Sequence, residues 1–297
     1  MSVPPPPCER DTLLSAYSTF GIGGPARLFA QVHTLEEMQA CIAYCLSQHL
    51  RYIVIGKGSN CLFDDKGFDG LVILNKIAFC RFEWPLVHVG AGYSFSLLGV
   101  QTARNGWSGL EFASGIPGSV GGAIFMNAGA NGMETKDALI QVQFLDENNT
   151  LHILSREQIA FDYRFSSFQN KLCAIVSGTF ALTASPVARK KQLEIVDYRT
   201  HTQPYSDLSA GCFFRNPPAH SAGALIERCG LKGVMQGGAE VSLLHANFII
   251  NKNRATAQDI LALASHVQKV VSEKTGIALE REIRYIPHRP DEEKRPI

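Results

Sequence analysis

Apolar residues recur at helical spacing most clearly over 257–275, where Ile260, Leu263, Ala264, Val267, Val270 and Val271 share one face. Thr256 and Asp259 stand three apart at its start and Gly276 follows its end, so the segment carries its own start and stop signals. Residues 34–49 repeat the period through Leu35, Met38, Ile42, Tyr44 and Leu46, behind Thr34 and Glu37 spaced as a capping box. Further helices are predicted from Ser94 to Gly106, over the polar stretch 186–202, and over 221–229 with Gly230 placed to end it. Short apolar runs mark strands at 52–55, 71–74, 86–89, 173–182, 246–250 and 278–286. Residues 139–145 and 151–154, on either side of Glu147-Asn148-Asn149, predict a hairpin. No internal repeat is present. Strands and helices in this order give an α+β fold, not a doubly wound parallel sheet, with a domain boundary near residue 202.

Composition narrows the function classes. The 297 residues leave room for two or three small domains around real cores. A net charge of +1 gives no electrostatic footprint for nucleic acid. No apolar run reaches the ~18 residues that a membrane span needs. The N-terminus, with Pro4-Pro5-Pro6-Pro7, lacks the basic and apolar regions of a secretory signal and reads as a short extended tail, while the charged C-terminal tail reads as disordered. Eight cysteines form no C-x-x-C pair and no zinc spacing, so free thiols in a cytoplasmic protein are expected, and no metal.

Two glycine segments change the picture. Strand 52–55 runs into Gly56-Lys57-Gly58-Ser59-Asn60, a tight turn whose bare N–H groups suit a pyrophosphate. A plain glycine turn between strands explains the same residues. The turn is not a Rossmann fingerprint, because Cys61 stands where the third glycine belongs. The second segment, 109–132, holds seven glycines in 24 positions. Gly115, Pro117, Gly118, Gly121 and Gly122 space it like a backbone wrapped round a ligand, and Pro117 disfavours a glycine-rich helix contact.

Both segments, together with Thr19-Phe-Gly-Ile-Gly-Gly-Pro-Ala26, resemble the UDP-N-acetylenolpyruvoylglucosamine reductase (MurB) family, and the resemblance runs from about residue 17 to 286. It implies a two-subdomain FAD-binding module of the p-cresol methylhydroxylase/vanillyl-alcohol oxidase type (1–75 and 76–202) followed by an α+β substrate-binding domain (203–297). It implies non-covalent FAD, which fits the absence of histidine from 56–66, held by Gly56 to Asn60 and by Ser114, Gly115, Pro117, Gly118, Ser119, Gly121, Gly122, Asn127, Ala128 and Gly129. The implied reaction is reduction of UDP-N-acetyl-3-O-(1-carboxyvinyl)-glucosamine to UDP-N-acetylmuramate in peptidoglycan precursor synthesis. Hydride passes from flavin N5 to C3 and a proton to C2, with NADPH as reductant. Tyr163-Arg-Phe-Ser-Ser-Phe168 resembles the motif of the catalytic arginine, Arg164. Gly211-Cys-Phe-Phe-Arg-Asn-Pro217 resembles that of the proton donor, Cys212, and the substrate-binding Asn216. Lys232 in Leu231-Lys-Gly233 and His245 correspond to further substrate contacts, and Glu282 in Leu279-Glu-Arg-Glu-Ile-Arg284 to the catalytic acid. The partner is a small UDP-sugar, and a monomer is expected.

Three positions depart from the family pattern. Cys212 stands where serine is usual, Ser18 where asparagine often precedes the opening motif, and 241–245 is more apolar than its counterparts. The tyrosine-bearing insertion of one branch is lacking, which matches the shorter branch. The residue types suit the chemistry. Guanidinium stays charged and grips a carboxylate in two places. A thiol with an ordinary pKa near 8.5 is about 97% protonated at pH 7 and is far more acidic than serine. Taken singly, Arg164 reads more readily as a surface or salt-bridge arginine, Cys212 as a core thiol, and Glu280 or Glu282 as solvent-facing strand positions; their joint occurrence with the flavin motifs reverses that reading. An FAD oxidase of the same superfamily and a non-catalytic flavin- or nucleotide-binding module are the competing readings. Oxidases of that kind often carry a flavin-linked histidine and a larger substrate domain, and Arg164 with Glu282 argues against the module.

Overall fold

The computed structural model describes residues 6–289, so the N-terminal residues 1–5 and the charged tail 290–297 lie outside the described residues. Contacts divide the chain into two compact units. One is built on residues up to Glu9, Leu28–Lys57 and Gly70–Arg199, the other on Arg10–Arg27, Gly58–Asp69 and the chain from Thr200 onward.

The first unit holds two cores. In one, the Leu35–Ser47 helix lays Met38, Cys41, Ile42 and Cys45 against strand residues that include Leu28, Ala30, Leu71 and Ile73. The buried face is thus rotated from the predicted one: Leu46 is 43% exposed, and two cysteines take the helical positions behind it. Burial pushes the Cys41 and Cys45 thiols up to about 11 and about 12, as expected of small apolar core residues. Thr34 caps the helix by accepting from the Glu37 N–H (3.2 Å). The Glu37 carboxylate returns to the His33 N–H (2.6 Å), one residue before the capping box would place it. Tyr52–Ile55 pairs in parallel with residues 71–74. The other core lies under a five-stranded sheet whose order is Leu151–Ser155, Leu139–Leu145, Ala174–Ala181, Leu86–Gly90 and Cys80–Glu83, all neighbours antiparallel. The predicted hairpin is its first pair. Phe95–Arg104 and Val120–Met126 bury Phe95, Leu98, Val120 and Ile124 in this core.

The second unit packs Ala257–Thr275 and Ala222–Arg228 on the antiparallel strands Met235–Gln236, Ala239–Val241 and Ile249–Asn251. Two strands are shorter than predicted. The one expected at 246–250 begins at Ile249, because the Phe248 N–H first closes a turn on the His245 carbonyl (2.9 Å). The one expected at 278–286 is regular only over Arg284–Ile286, where it runs parallel to Cys61–Phe63. That pairing, with Phe20, Ile22 and Leu62 in the same core as Ile260 and Val267, explains why residues 10–27 and 58–69 belong to the second unit rather than with the other residues before 75. None of the eight cysteines is in a disulfide. Among the described residues, no helix is long and apolar enough to cross a membrane and no His, Cys, Asp or Glu cluster is arranged for a metal.

The long helix carries a complete capping box: Thr256 Oγ1 accepts from the Asp259 N–H (3.0 Å) and the Asp259 carboxylate accepts from the Thr256 N–H (2.9 Å). These bonds hold the Asp259 carboxyl below the usual carboxylate range. Thr256→Ala is expected to cost about 1 kcal/mol of stability, read as a lower denaturant midpoint with an unchanged m value.

Candidate active site

The glycine turn leaves Tyr52–Ile55 at Gly56. A Cβ on Gly56 would displace the Ser119 hydroxyl, so the turn lies against the N-cap of Val120–Met126 only because it has no side chain. Ser119 and Ser94, the N-cap of Phe95–Arg104, form an antiparallel bridge, so two helix starts stand side by side. Lys57 Nζ donates to Ser94 Oγ (3.0 Å), and burial, with Lys76 nearby, lowers the Lys57 pKa. The result in this unit is a polar stretch with one cation beside two helix starts, a setting that favours an anion. Within the second unit, Gly58 adopts φ +62°, and a side chain there would run into the Tyr17 carbonyl. The opening motif is tied to the same stretch by the Thr19 N–H to the Gly58 carbonyl (3.4 Å) and by Ser18 Oγ to the Cys61 carbonyl (3.4 Å). Ser18 also accepts from the Phe20 N–H (3.2 Å), the local capping that the more usual asparagine could provide.

Segment 114–129 divides into residues with spare polar groups and residues already committed. Ser114 Oγ is fully buried and no group among the described residues bonds it; Thr19 Oγ1 is buried in the same way. Such orphans cost about 1–3 kcal/mol each unless a ligand completes them. Gly115 (φ +84°) and Gly118 (φ +147°) flank Pro117. These features fit a pyrophosphate-bearing dinucleotide such as FAD. Gly121 and Gly122, in contrast, give their amides to the protein, to the Ala91 carbonyl (2.8 Å) and to Ser119 Oγ (3.3 Å). Gly121 is needed for close packing, since a Cβ would stand 2.9 Å from Ala91 Cβ. Asn127 is buried, left-handed (φ +46°) and fully engaged. It donates to Glu134 (3.0 Å) and to the Asp162 carbonyl (2.9 Å), and accepts from the Lys136 N–H (3.1 Å). The Ala128 carbonyl takes the Thr135 hydroxyl (2.7 Å).

Arg164 sits in the first unit, in the two-residue loop of a hairpin between Phe161–Asp162 and Phe165–Ser166. Its backbone is left-handed (φ +55°), a conformation that costs a non-glycine residue about 1–2 kcal/mol. One guanidinium N–H donates to the Gly129 carbonyl (2.7 Å), and the group lies 4.8 Å from the Tyr163 ring centroid. The fork is therefore aimed by two fixed contacts.

Cys212 and Glu282 sit in the second unit on neighbouring backbones. The Glu282 N–H donates to the Phe213 carbonyl (2.8 Å), the Arg215 N–H donates to the Glu280 carbonyl (2.9 Å), and Phe214 bridges Arg281. The Glu282 carbonyl accepts from Asn60 Nδ2 (3.2 Å), so Asn60 of the glycine turn braces this pair. Three residues that the sequence did not single out hold the same backbones. Buried Asn247 bonds both the N–H (3.0 Å) and the carbonyl (2.8 Å) of Phe214. Gln268 donates to the Leu279 carbonyl (2.7 Å), and Arg281 reaches Ser265 (2.7 Å). Only Asn247 carried a signal, a polar residue inside an apolar run.

Around Ala222–Arg228, Asn216 Oδ1 accepts from the Ala222 N–H (2.9 Å) and Lys232 pairs with Glu227 (2.6 Å). His245 packs near Gly223, and its Nδ1 accepts from the Asn247 N–H (3.2 Å), which leaves the proton on Nε2. Burial first, and Lys232 second, lower its pKa against opposing contributions from a backbone hydrogen bond and Glu227, so the ring is a neutral donor at pH 7.

Residues 203–286 match the family model of the UDP-N-acetylenolpyruvoylglucosamine reductase C-terminal domain, and residues 26–155 match an FAD binding domain. The UDP-N-acetylenolpyruvoylglucosamine reductase of Protochlamydia amoebophila is 59% identical over 281 residues, covering 94% of each chain. That of Chlamydia trachomatis serovar L2 is 50% identical, covering 93% of this chain and 95% of its own. The crystal structure of UDP-N-acetylenolpyruvylglucosamine reductase (MurB) from Thermus caldophilus superimposes with a TM-score of 0.81 at 37% identity, over 95% of this chain and 99% of that one. On this likeness along nearly its whole length, the chain belongs to the UDP-N-acetylenolpyruvoylglucosamine reductase family.

Proposed function

We propose that the chain reduces UDP-N-acetyl-3-O-(1-carboxyvinyl)-glucosamine to UDP-N-acetylmuramate in cytoplasmic peptidoglycan precursor synthesis, with FAD held by 1–75 and 76–202 and the sugar nucleotide on 203–297. The observation that carries the reading is the backbone pairing of Cys212's segment with that of Glu282, through the Glu282 N–H to the Phe213 carbonyl (2.8 Å). It fixes a thiol acid and a carboxylate on one rigid support.

Bound FAD, once reduced by NADPH, supplies the two electrons that the enolpyruvyl double bond takes up. The chain's own residues manage the charge and the proton. As C3 is reduced, negative charge builds toward the substrate carboxylate, and the Arg164 fork is the cation that meets it. Cys212 holds the proton for C2. An ordinary thiol is protonated at neutral pH yet acidic enough to give its proton up, after which water restores it. Glu282 orients the donor. Lys232 exchanges its Glu227 partner for the diphosphate, and His245 donates through Nε2–H. Asn216, whose Oδ1 caps Ala222–Arg228, offers its amide N–H.

Three outcomes test this. The protein purifies yellow, and acid precipitation releases all of the flavin; colour retained by the pellet, or a colourless protein that cannot be loaded, contradicts it. Arg164→Lys keeps the charge but loses the bidentate grip, so kcat falls by more than KM rises in steady-state assays. Cys212→Ala is reduced by NADPH at a near-normal rate but reoxidised by the enolpyruvyl substrate about 10²- to 10⁴-fold more slowly, and Cys212→Ser recovers much of the loss. Stopped-flow flavin absorbance separates the two half-reactions, and fast reoxidation of the alanine variant removes Cys212 from the mechanism.

A further inference from the structure

The Arg164 hairpin is fastened to the C-terminal end of Val120–Met126 by one side chain that none of the glycine, arginine or cysteine motifs contains. Gln169 lies in the turn just after the hairpin, and its side-chain amide donates to two carbonyls, that of Phe125 (3.0 Å) and that of Arg164 itself (3.1 Å). Ser166 Oγ donates to the same Phe125 carbonyl (2.6 Å). The Phe125 carbonyl lies in the last turn of a short helix, where the helix offers no partner. The Arg164 carbonyl belongs to a residue held left-handed, so its direction depends on an outside donor.

We infer that Gln169 is a positioning residue for Arg164: its two donated hydrogen bonds lock the left-handed turn and hold the guanidinium at the Gly129 carbonyl. The inference rests on the proposed role of Arg164 and deepens it. The two bonds require a donor, not a shape. Glutamate is isosteric with glutamine but would set a carboxylate against two carbonyl oxygens. Lysine differs in shape but brings three donors to the same place.

The test uses the flavin-loaded full-length protein and the variants Gln169→Glu, Gln169→Leu and Gln169→Lys, with circular dichroism to verify folding. Stopped-flow absorbance follows reduction by NADPH and reoxidation by the enolpyruvyl UDP-sugar separately. Gln169→Glu and Gln169→Leu are expected to slow reoxidation about ten- to a hundredfold with little change in substrate affinity, while reduction by NADPH is unchanged. Gln169→Lys stays within about threefold of the parent protein, a smaller change than any misplacement of that kind. Hydrogen exchange of the amides at 161–167 speeds up in the glutamate and leucine variants alone. Combined with Arg164→Lys, Gln169→Glu adds little further loss, because both act on one interaction. Normal reoxidation in Gln169→Glu, equal losses in both half-reactions, or a multiplicative loss with Arg164→Lys overturns the inference. If Arg164→Lys alone leaves reoxidation unchanged, the functional reading beneath it has failed instead.

Discussion

A short helix must have its last carbonyls satisfied, and in the first unit that requirement builds the site. Val120–Met126 ends in a left-handed Asn127, and the Phe125 carbonyl in its last turn, with those of Ala128 and Gly129 just beyond the helix, accepts from side chains. Ser166 and Gln169 take the first, Thr135 takes that of Ala128, and Arg164 takes that of Gly129. Asn127 completes the set by reaching across to the Asp162 carbonyl. The helix end and the arginine hairpin are therefore one hydrogen-bonded body. A buried carbonyl left without a partner is costly, so every donor in the set resists displacement, and the guanidinium inherits that rigidity.

The second unit solves a similar problem with strands. The segments carrying Cys212 and Glu282 are too irregular to form a sheet of their own. They share a few backbone bonds, and the remainder comes from buried Asn247 in the turn before Ile249–Asn251 and from Gln268 and Ser265 of the long helix, the latter bonded by Arg281 of the Glu282 segment. Replacing serine by cysteine at 212 leaves this support untouched, since the bonds run through the backbone of Phe213 and Phe214. What changes is the acidity and size of the side chain at 212.

Much was legible in the sequence because the signals were local. The helix at 257–275, the hairpin of 139–145 with 151–154 and the helix beginning near Ser94 each depend on residues within a turn or two of one another, and each forms where it was predicted, give or take a residue or two at the ends. Arg164, Cys212 and Glu282 were singled out from compact motifs, and the structure adds what surrounds them: the Gly129 carbonyl and the Tyr163 ring at Arg164, and the Phe213–Glu282 backbone bond beside Cys212. In the glycine-rich segment the spacing suggested a backbone wrapped round a ligand, and the tertiary structure adds contacts that spacing does not carry: Gly121 packs on Ala91 and Asn127 reaches the Asp162 carbonyl.

By itself, then, the sequence determined the helical period, the caps, the glycine turns and the residue types available for chemistry, since all of these are set by neighbours along the chain. Tertiary structure alone decided which polar groups are committed and to whom. Asn60 meets Glu282 across 222 residues, and Cys61–Phe63 is paired with Arg284–Ile286. Gln169 becomes the brace of Arg164 only because a helix end 44 residues earlier offers it a carbonyl. A hydrogen bond forms between whatever donor and acceptor folding brings together, and no local pattern of hydrophobic and polar positions encodes a meeting at that distance.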